Sequence, residues 1–69
     1  MAKALDRGAR IRAARERCGW TQAELASRVK RTSQTIHRWE TGKTGLSSAD
    51  LIALCDALGE SPRHLEHGG

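Results

Sequence analysis

The clearest hydrophobic repeat lies in the second half of the 69-residue chain. Its members recur at i, i+3, i+4 and i+7, the spacing that puts side chains on one face of an α-helix: Leu51, Leu54, Cys55 and Leu58. Ser47 is a suitable N-cap, Asp50 stands where a capping-box partner belongs, and Gly59 is suited to end the helix. Ile52 falls outside this face, so it is expected either to pack on the last helix or to face a second subunit.

Two shorter helical segments, joined by a tight turn, precede this helix. Thr21 and Glu24 have the spacing of a capping box, and apolar positions follow at helical intervals, so a helix is predicted over Gln22–Val29. Thr32 offers a second N-cap, which predicts another helix over Ser33–Thr41. Only residues 30–32 separate the two helices.

The amino-terminal part of the chain carries a helical pattern of small and aliphatic residues. A first helix is predicted from Asp6, as N-cap, to about Cys18, after a frayed arm over residues 1–5 in which Lys3 adds a positive charge. The inner face of this helix allows close packing because its members are small or aliphatic: Gly8, Ile11, Ala14 and Cys18.

A short fifth helix is predicted near the carboxyl end. Ser61 is its expected cap, Pro62 suits the first helical position, and Leu65 is expected to enter the core. Residues 66–69 are expected to form a tail. The sequence therefore predicts an all-α fold, a compact five-helix bundle that makes a single domain of the 69 residues.

The predicted third helix has two chemically different faces. Ile36 and Trp39 fall on one side, which is expected to be buried. The opposite side carries hydrogen-bonding and cationic side chains and no acid: Gln34, His37, Arg38 and Thr41, with Ser33 and Thr35 on the flanks. Arg and Gln are the residues that make bidentate contacts to guanine and adenine in the major groove. An ordinary solvated helix face is the alternative, and the preceding capped helix and turn favour the DNA-reading interpretation.

The segment resembles the helix-turn-helix of the Cro/repressor family, also called the XRE or lambda-repressor-like domains. The resemblance lies in the run TQAELA, then V, then T-x-x-x-I-x-x-W-E-x-G-K, and it extends from about Gly8 to Leu65. It implies double-stranded DNA as the partner and a transcriptional repressor or regulator as the function. The family also implies a dimer on a palindromic operator, with half-sites about one helical turn apart.

The resemblance also implies roles for individual residues. Base reading falls to residues of the third helix: Ser33, Gln34, His37 and Arg38. Thr32 and Thr35 flank these, and Gln22 and Lys43 match positions that contact phosphate. The family commonly pairs an Arg with the Glu of the third helix, so an ion pair is expected between Arg15 and Glu40.

The turn departs from the family pattern. The family usually places Gly and then a small apolar residue here, where this chain has Lys30 and Arg31. Lys30 is expected to adopt a left-handed conformation at a cost of ~1 kcal/mol. The two cations either contact DNA phosphates or are simply solvated, and the sequence leaves both interpretations open.

The charge and cysteine content add little to this interpretation. Lys and Arg number 12 against 8 Asp and Glu, a net charge of +4 that suits a polyanion and is common among small proteins. Cys18 and Cys55 both fall on apolar faces, so buried free thiols in a reducing cytoplasm are expected, with a disulfide as the alternative.

His64 and His67 lie three apart without further ligands, so no metal and no cofactor is expected. No apolar run is long enough for a membrane span or a signal peptide.

Two other functions use the same scaffold. One is a protein-interaction adaptor, for which apolar or acidic residues would be expected on the outward face of the third helix. The other is an antitoxin, which binds DNA and also a toxin or other protein partner. An enzyme is rejected, because the sequence holds no Ser/His/Asp set, no paired carboxylates in a plausible cleft and no phosphate-binding Gly loop.

Overall fold

The computed structural model describes the backbone of residues 3–67 and the side chains of residues 6–66. This part of the chain contains five helices and no strand: α1 (Lys3–Arg17), α2 (Gln22–Val29), α3 (Ser33–Glu40), α4 (Ser48–Leu58) and α5 (Pro62–His67). The predicted all-α fold is therefore confirmed. Helix α1 packs against α3, α4 and α5, whereas α2 packs against α3 and α4.

One hydrophobic core joins the five helices. Its largest fully buried side chains come one from each helix: Ile11, Leu25, Ile36, Leu54 and Leu65. Trp39 and Ala14 are also buried in this core, so a large side chain on α3 is accommodated together with a small one on α1. The predicted inner faces of α3, α4 and α5 are confirmed by these contacts.

The starts of α2, α3, α4 and α5 follow the capping signals in the sequence. Thr21 and Glu24 form a complete capping box at α2, and the side chains of Thr32, Ser47 and Ser61 each accept from a backbone N–H three residues later. Each cap satisfies a backbone donor that has no partner inside its helix.

Helix α1 differs from its prediction at both ends. It begins at Lys3, so Asp6 lies within the first turn instead of forming the N-cap. The residues before Asp6 favour helix formation, and an acidic side chain in a first turn interacts favourably with the helix dipole. The arm predicted over residues 1–5 is thus partly helical, while the side chain of Lys3 lies outside the described residues.

The expectation that both cysteines are buried is wrong for Cys18. Helix α1 ends at Arg17, so Cys18 leaves the helical register that buries Ala14, and it is exposed. Cys55 is buried in the core, and both thiols are free. Burial, followed by the nearby charges of Asp56 and Glu66, raises the pKa of Cys55 above its ordinary value.

Three smaller expectations are also corrected. Helix α3 ends at Glu40, with Thr41 as its C-cap. Ile52 is 56% exposed, so it is not buried against α5, and its other expected environment, a second subunit, stays a prediction. Helix α5 continues to His67, so only residues 68 and 69 of the predicted tail lie outside the described part of the chain.

Candidate nucleic-acid interface

Helix α3 presents a continuous polar surface on its outer side. Its exposed side chains are those of the predicted outward face: Ser33, Gln34, His37 and Arg38, followed by the C-cap Thr41. Among the described side chains, none forms a hydrogen bond with the side chain of Gln34, His37 or Arg38. These donors and acceptors are therefore available to an external ligand.

The threonines at the ends of α3 serve the helix itself. The hydroxyl oxygen of Thr32 accepts from the backbone N–H of Thr35 at 3.2 Å and lies 3.0 Å from the Thr35 hydroxyl. The Thr41 hydroxyl donates to the carbonyl of His37 at 2.8 Å. Both ends of the exposed face are thus fixed by local hydrogen bonds, which hold its polar side chains on a regular helix.

A buried ion pair joins α1 to the back of α3. Arg15 donates from Nε to Oε2 of Glu40 at 2.6 Å and from Nη2 to Oε1 at 3.1 Å. Its Nη1 donates to the carbonyl of Trp20 at 2.8 Å, so one guanidinium connects two helices and the loop after α1. The hydrogen bonds with Glu40 are the main cause of a raised pKa for Arg15, which keeps the guanidinium charged.

Gln22, the predicted phosphate contact at the start of α2, belongs to the same network. Its side-chain amide donates to Oε1 of Glu40 at 3.1 Å. One amide N–H remains beyond this bond, because a glutamine amide has two. The structure therefore fixes the Gln22 side chain beside the amino end of α2, where backbone N–H groups and the helix dipole favour an anion.

The two cations of the turn have different environments. Lys30 has φ 59° and ψ 46°, the left-handed conformation expected for it, and its side chain is exposed. The other helix ends of this kind have glycine at the left-handed position: Gly19, Gly42 and Gly59. Lys30 thus occupies a position whose geometry favours glycine.

Arg31 forms an ion pair that the sequence does not predict. Its Nη2 and Nε donate to Oδ1 of Asp50, at 2.7 and 3.1 Å. Asp50 was expected to complete the capping box of α4, but only the Ser47 half of that box forms. An aspartate is one methylene shorter than the usual Glu of a capping box, and its carboxylate binds Arg31 instead.

A groove between α1, α2 and α3 brings another cation to the interface. It is lined by side chains from all three helices and the α3 C-cap: Arg12, Arg15, Gln22, His37, Glu40 and Thr41. Arg12 is exposed and was not among the predicted contacts. The sequence signal for it is a cluster of arginines in α1, Arg7, Arg10, Arg12, Arg15 and Arg17, and apart from Arg15 the cluster does not show which of them lies beside α3.

The distribution of ion pairs leaves positive charge near α3. Of the eight Asp and Glu side chains of residues 6–66, five form an ion pair with an arginine: Glu16, Glu40, Asp50, Glu60 and Glu66. Within the same residues, no carboxylate pairs with Lys30, Arg38 or Lys43, which lie before, within and after α3. These three exposed cations surround a face that contains no acid, so the face suits an anionic partner.

Two further observations concern metal binding and membranes. Among the described side chains, no group of three His, Cys, Asp or Glu residues is arranged to hold a metal ion. Nε2 of His64 lies 3.6 Å from Glu60, and the His67 side chain is outside the described residues. Within residues 3–67, no helix combines the length and the apolar composition that a bilayer crossing requires.

The capped α2, the three-residue turn and the capped α3 with an exposed polar face together define a helix-turn-helix. A family profile described as "Helix-turn-helix domain" matches residues 8–68, and the chain belongs to this family. The resemblance to the XRE, or lambda-repressor-like, type is confirmed by the solved structures that are similar to it. A search of curated protein sequences gave no significant match.

Three solved structures illustrate the similarity. The P22 c2 repressor, crystallised with a synthetic operator, is 36% identical with a TM-score of 0.88, covering 91% of this chain and 96% of its own. The restriction-modification controller protein C.AhdI from Aeromonas hydrophila is 28% identical with a TM-score of 0.87, covering 93% of each chain. The clp gene regulator ClgR from C. glutamicum is 29% identical with a TM-score of 0.82, covering 94% of this chain and 83% of its own.

Proposed function

We propose that the protein binds double-stranded DNA sequence-specifically through the exposed face of α3 and acts as a transcriptional repressor or regulator. The observation that carries the proposal is a polar face whose side chains Gln34, His37 and Arg38 have no partner among the described residues, with cations on either side that pair with none of the described carboxylates. The similarity to a repressor crystallised with its operator supports it. This function is binding, not catalysis, and its expected location is the cytoplasm.

The proposed contacts are of two kinds: some position the protein on the duplex, and others read the base sequence. Lys43, Lys30 and the amino end of α2 with Gln22 would contact the phosphate backbone and set the register of α3 in the major groove. Gln34 would hydrogen-bond to adenine and Arg38 to guanine, because their donors and acceptors match those base edges. Ser33 completes the reading face, with Thr32 and Thr35 on its flank, and His37 lies at its edge beside the groove.

A homodimer on an inverted repeat follows from the size of this surface. One short helix with two bidentate readers contacts only a few base pairs, and each such pair discriminates by ~1–3 kcal/mol. Two copies on half-sites about one helical turn apart would double that discrimination. The exposed Ile52 on α4 and the segment that leads into α5 are available for contact between copies.

The experiment that tests the proposal is selection from a random duplex pool, repeated at low and moderate salt. An enriched inverted repeat with half-site centres about one turn apart is the expected result. Retention that depends on salt but enriches no motif would remove the sequence-reading part of the proposal. A protein that retains no duplex at all would refute DNA binding and favour an adaptor that binds another protein.

Two variants then locate the reading residues. Gln34→Ala and Arg38→Ala are each expected to relax preference at a different base position of the enriched site, with a loss of ~1–3 kcal/mol in discrimination. Arg63→Ala is the matched control, because Arg63 is an exposed cation on α5, which packs on α1 and α4. That control is expected to leave the base preferences unchanged.

A further inference from the structure

His37 lies at one side of the exposed face of α3 and not at its centre. It precedes Glu40 by three residues and is therefore about 60° from it around the helix axis. Since Glu40 is buried against α1, this position turns His37 toward α1, and its side chain lines the groove that also contains Arg12. Gln34 and Arg38 lie farther from Glu40 around the helix, nearer the middle of the exposed face.

The charges around this groove favour an anion at its rim. Arg15 and Glu40 neutralise each other, and Gln22 adds an uncharged amide donor. Arg12 forms an ion pair with Glu16, its Nε donating to Oε2 at 3.2 Å, but both side chains are more than half exposed, so water screens the pair. Among the described residues nothing binds the two terminal nitrogens of Arg12, so their N–H groups are available. Arg12 and His37 therefore lie on either side of the opening of the groove. Arg12 is charged, and His37 can accept a proton. Among the described residues that line the groove, no carboxylate is unpaired.

We propose that this groove seats one phosphodiester of the DNA backbone between Arg12 and His37, and that binding is coupled to the uptake of a proton by His37. The proposal rests on the proposed function, because the phosphate comes with the duplex. It assigns His37 to the backbone and leaves base reading to Gln34, Arg38 and Ser33. It also adds Arg12, from outside the helix-turn-helix, to the interface.

The proton coupling follows from what His37 faces before and after binding. In the free protein it lines one groove with Arg12 and Arg15 of α1 and the neutral Gln22 of α2. The charge of Arg12 is matched by Glu16, and that of Arg15 by Glu40. The bound phosphate would be the first unmatched negative charge beside the imidazole, so the complex favours the charged form. Affinity is then higher where the imidazole can be protonated and falls as the pH rises.

The first test measures DNA affinity against pH. The probe is a fluorescein-labelled duplex of the sequence enriched by selection, and its affinity is measured by anisotropy between about pH 6 and pH 8 at fixed ionic strength. The wild type is expected to bind up to about tenfold more tightly at the acid end. His37→Gln is expected to abolish this dependence, whereas His64→Gln, on α5 and beside Glu60, is expected to keep it.

The second test measures the number of phosphate contacts. Arg12→Gln is expected to weaken binding and to lower the slope of log affinity against log salt by about one. Arg63→Gln removes the same charge from α5 and is expected to leave that slope unchanged. Tight binding with no pH dependence, or a slope that Arg12→Gln does not change, would overturn the inference while leaving DNA binding in place. If no duplex binds at any pH, the proposed function itself is wrong.

Discussion

Arg15 and Glu40 form a two-bonded ion pair in which the carboxylate is almost entirely buried, with 3% of its side chain exposed against 11% for Arg15. The pair fixes α1 against α3 at the point where α3 turns its polar face outward. A buried pair of this kind contributes little net stability compared with apolar residues of similar size. Removing one partner is nevertheless strongly destabilising, because the other is left buried without a counter-charge. Its role is to set the position of α3.

Arg15→Met is expected to destabilise the fold by about 3 kcal/mol, because it leaves the Glu40 carboxylate buried without a counter-charge. The measurement is the urea midpoint of unfolding. Arg17→Met is the matched control: Arg17 is on the same helix and pairs with Glu60, but its side chain is 60% exposed, so a loss within about 1 kcal/mol is expected. Equal losses for the two variants would show that the buried pair has no special role.

Gly8 is the closest point between α1 and α3. A Cβ at this position would lie 2.6 Å from the carbonyl oxygen of Trp39 and nearer still to that of Glu40. Because both obstacles are backbone atoms, Gly8→Ala must push the helices apart, and a loss of at least about 2 kcal/mol is expected. Gly45→Ala is the control, since nothing lies within 4 Å of its Cβ and thermal unfolding should hardly change. An unchanged melting temperature for Gly8→Ala would contradict the close approach of α1 and α3.

The helix starts show what could be predicted from sequence. Thr21, Thr32, Ser47 and Ser61 each act on a backbone group three residues away, so the evidence for each cap lies within one turn of the chain. Hydrophobic spacing in the same way predicted which sides of α3 and α4 are buried. The caps and the buried faces of these helices depend on residues close together in the chain, so they can be predicted from short sequence patterns.

The features that the sequence left open depend on distant parts of the chain. Arg31 and Asp50 are 19 residues apart, and their pairing follows from how α2 and α4 pack, which neither segment encodes alone. Apart from Arg15, for which the family resemblance implies a partner, the arginines of α1 cannot be told apart by sequence, and only the tertiary fold places Arg12 beside His37. Burial of Cys18 was wrongly predicted because the exact end of a helix is hard to predict, and a residue just beyond the end no longer points along the buried face.

Acid pH is expected to weaken the start of α2. Hydrogen bonds from the backbone and side chain of Thr21 lower the pKa of Glu24 below its ordinary value of 4.5. A carboxyl whose pKa is depressed by folding stabilises the fold above that ordinary value and loses the contribution as the pH falls through its folded pKa. Glu24→Gln should therefore show a smaller fall in melting temperature below pH 4.5 than the wild type. The control is Asp56→Asn, which removes the same charge from another exposed side chain. Its melting temperature should fall below pH 4.5 as much as that of the wild type.

Lys30→Gly should stabilise the fold and weaken DNA binding. Glycine adopts the left-handed conformation at φ 59° without the steric cost that a lysine meets, so a gain of about 1 kcal/mol is expected from urea unfolding. Loss of the cation should reduce affinity for a duplex of mixed sequence and lower the salt slope. Lys30→Gln separates the two effects, because glutamine removes the charge but keeps the steric cost of the left-handed conformation. It should weaken DNA binding as Lys30→Gly does, without the gain in stability. A loss of stability in Lys30→Gly would show that the strain is absent.

Asp50 pairs with Arg31, the second cation of the turn, and is expected to restrain it from contacting DNA phosphates. Arg31 is 48% exposed, and its pairing with Asp50 is a surface ion pair that contributes at most about 1 kcal/mol. Asp50→Asn should leave the Ser47 cap in place, release Arg31, and raise affinity for a duplex of mixed sequence with a steeper salt dependence. Asp56→Asn makes the same change of net charge on α4 and corrects for long-range attraction. Suppose that the gain in duplex affinity exceeds that of Asp56→Asn and disappears when Arg31→Gln is added to Asp50→Asn. Arg31 is then a phosphate contact that Asp50 restrains. A gain that survives Arg31→Gln would instead assign the effect to charge alone.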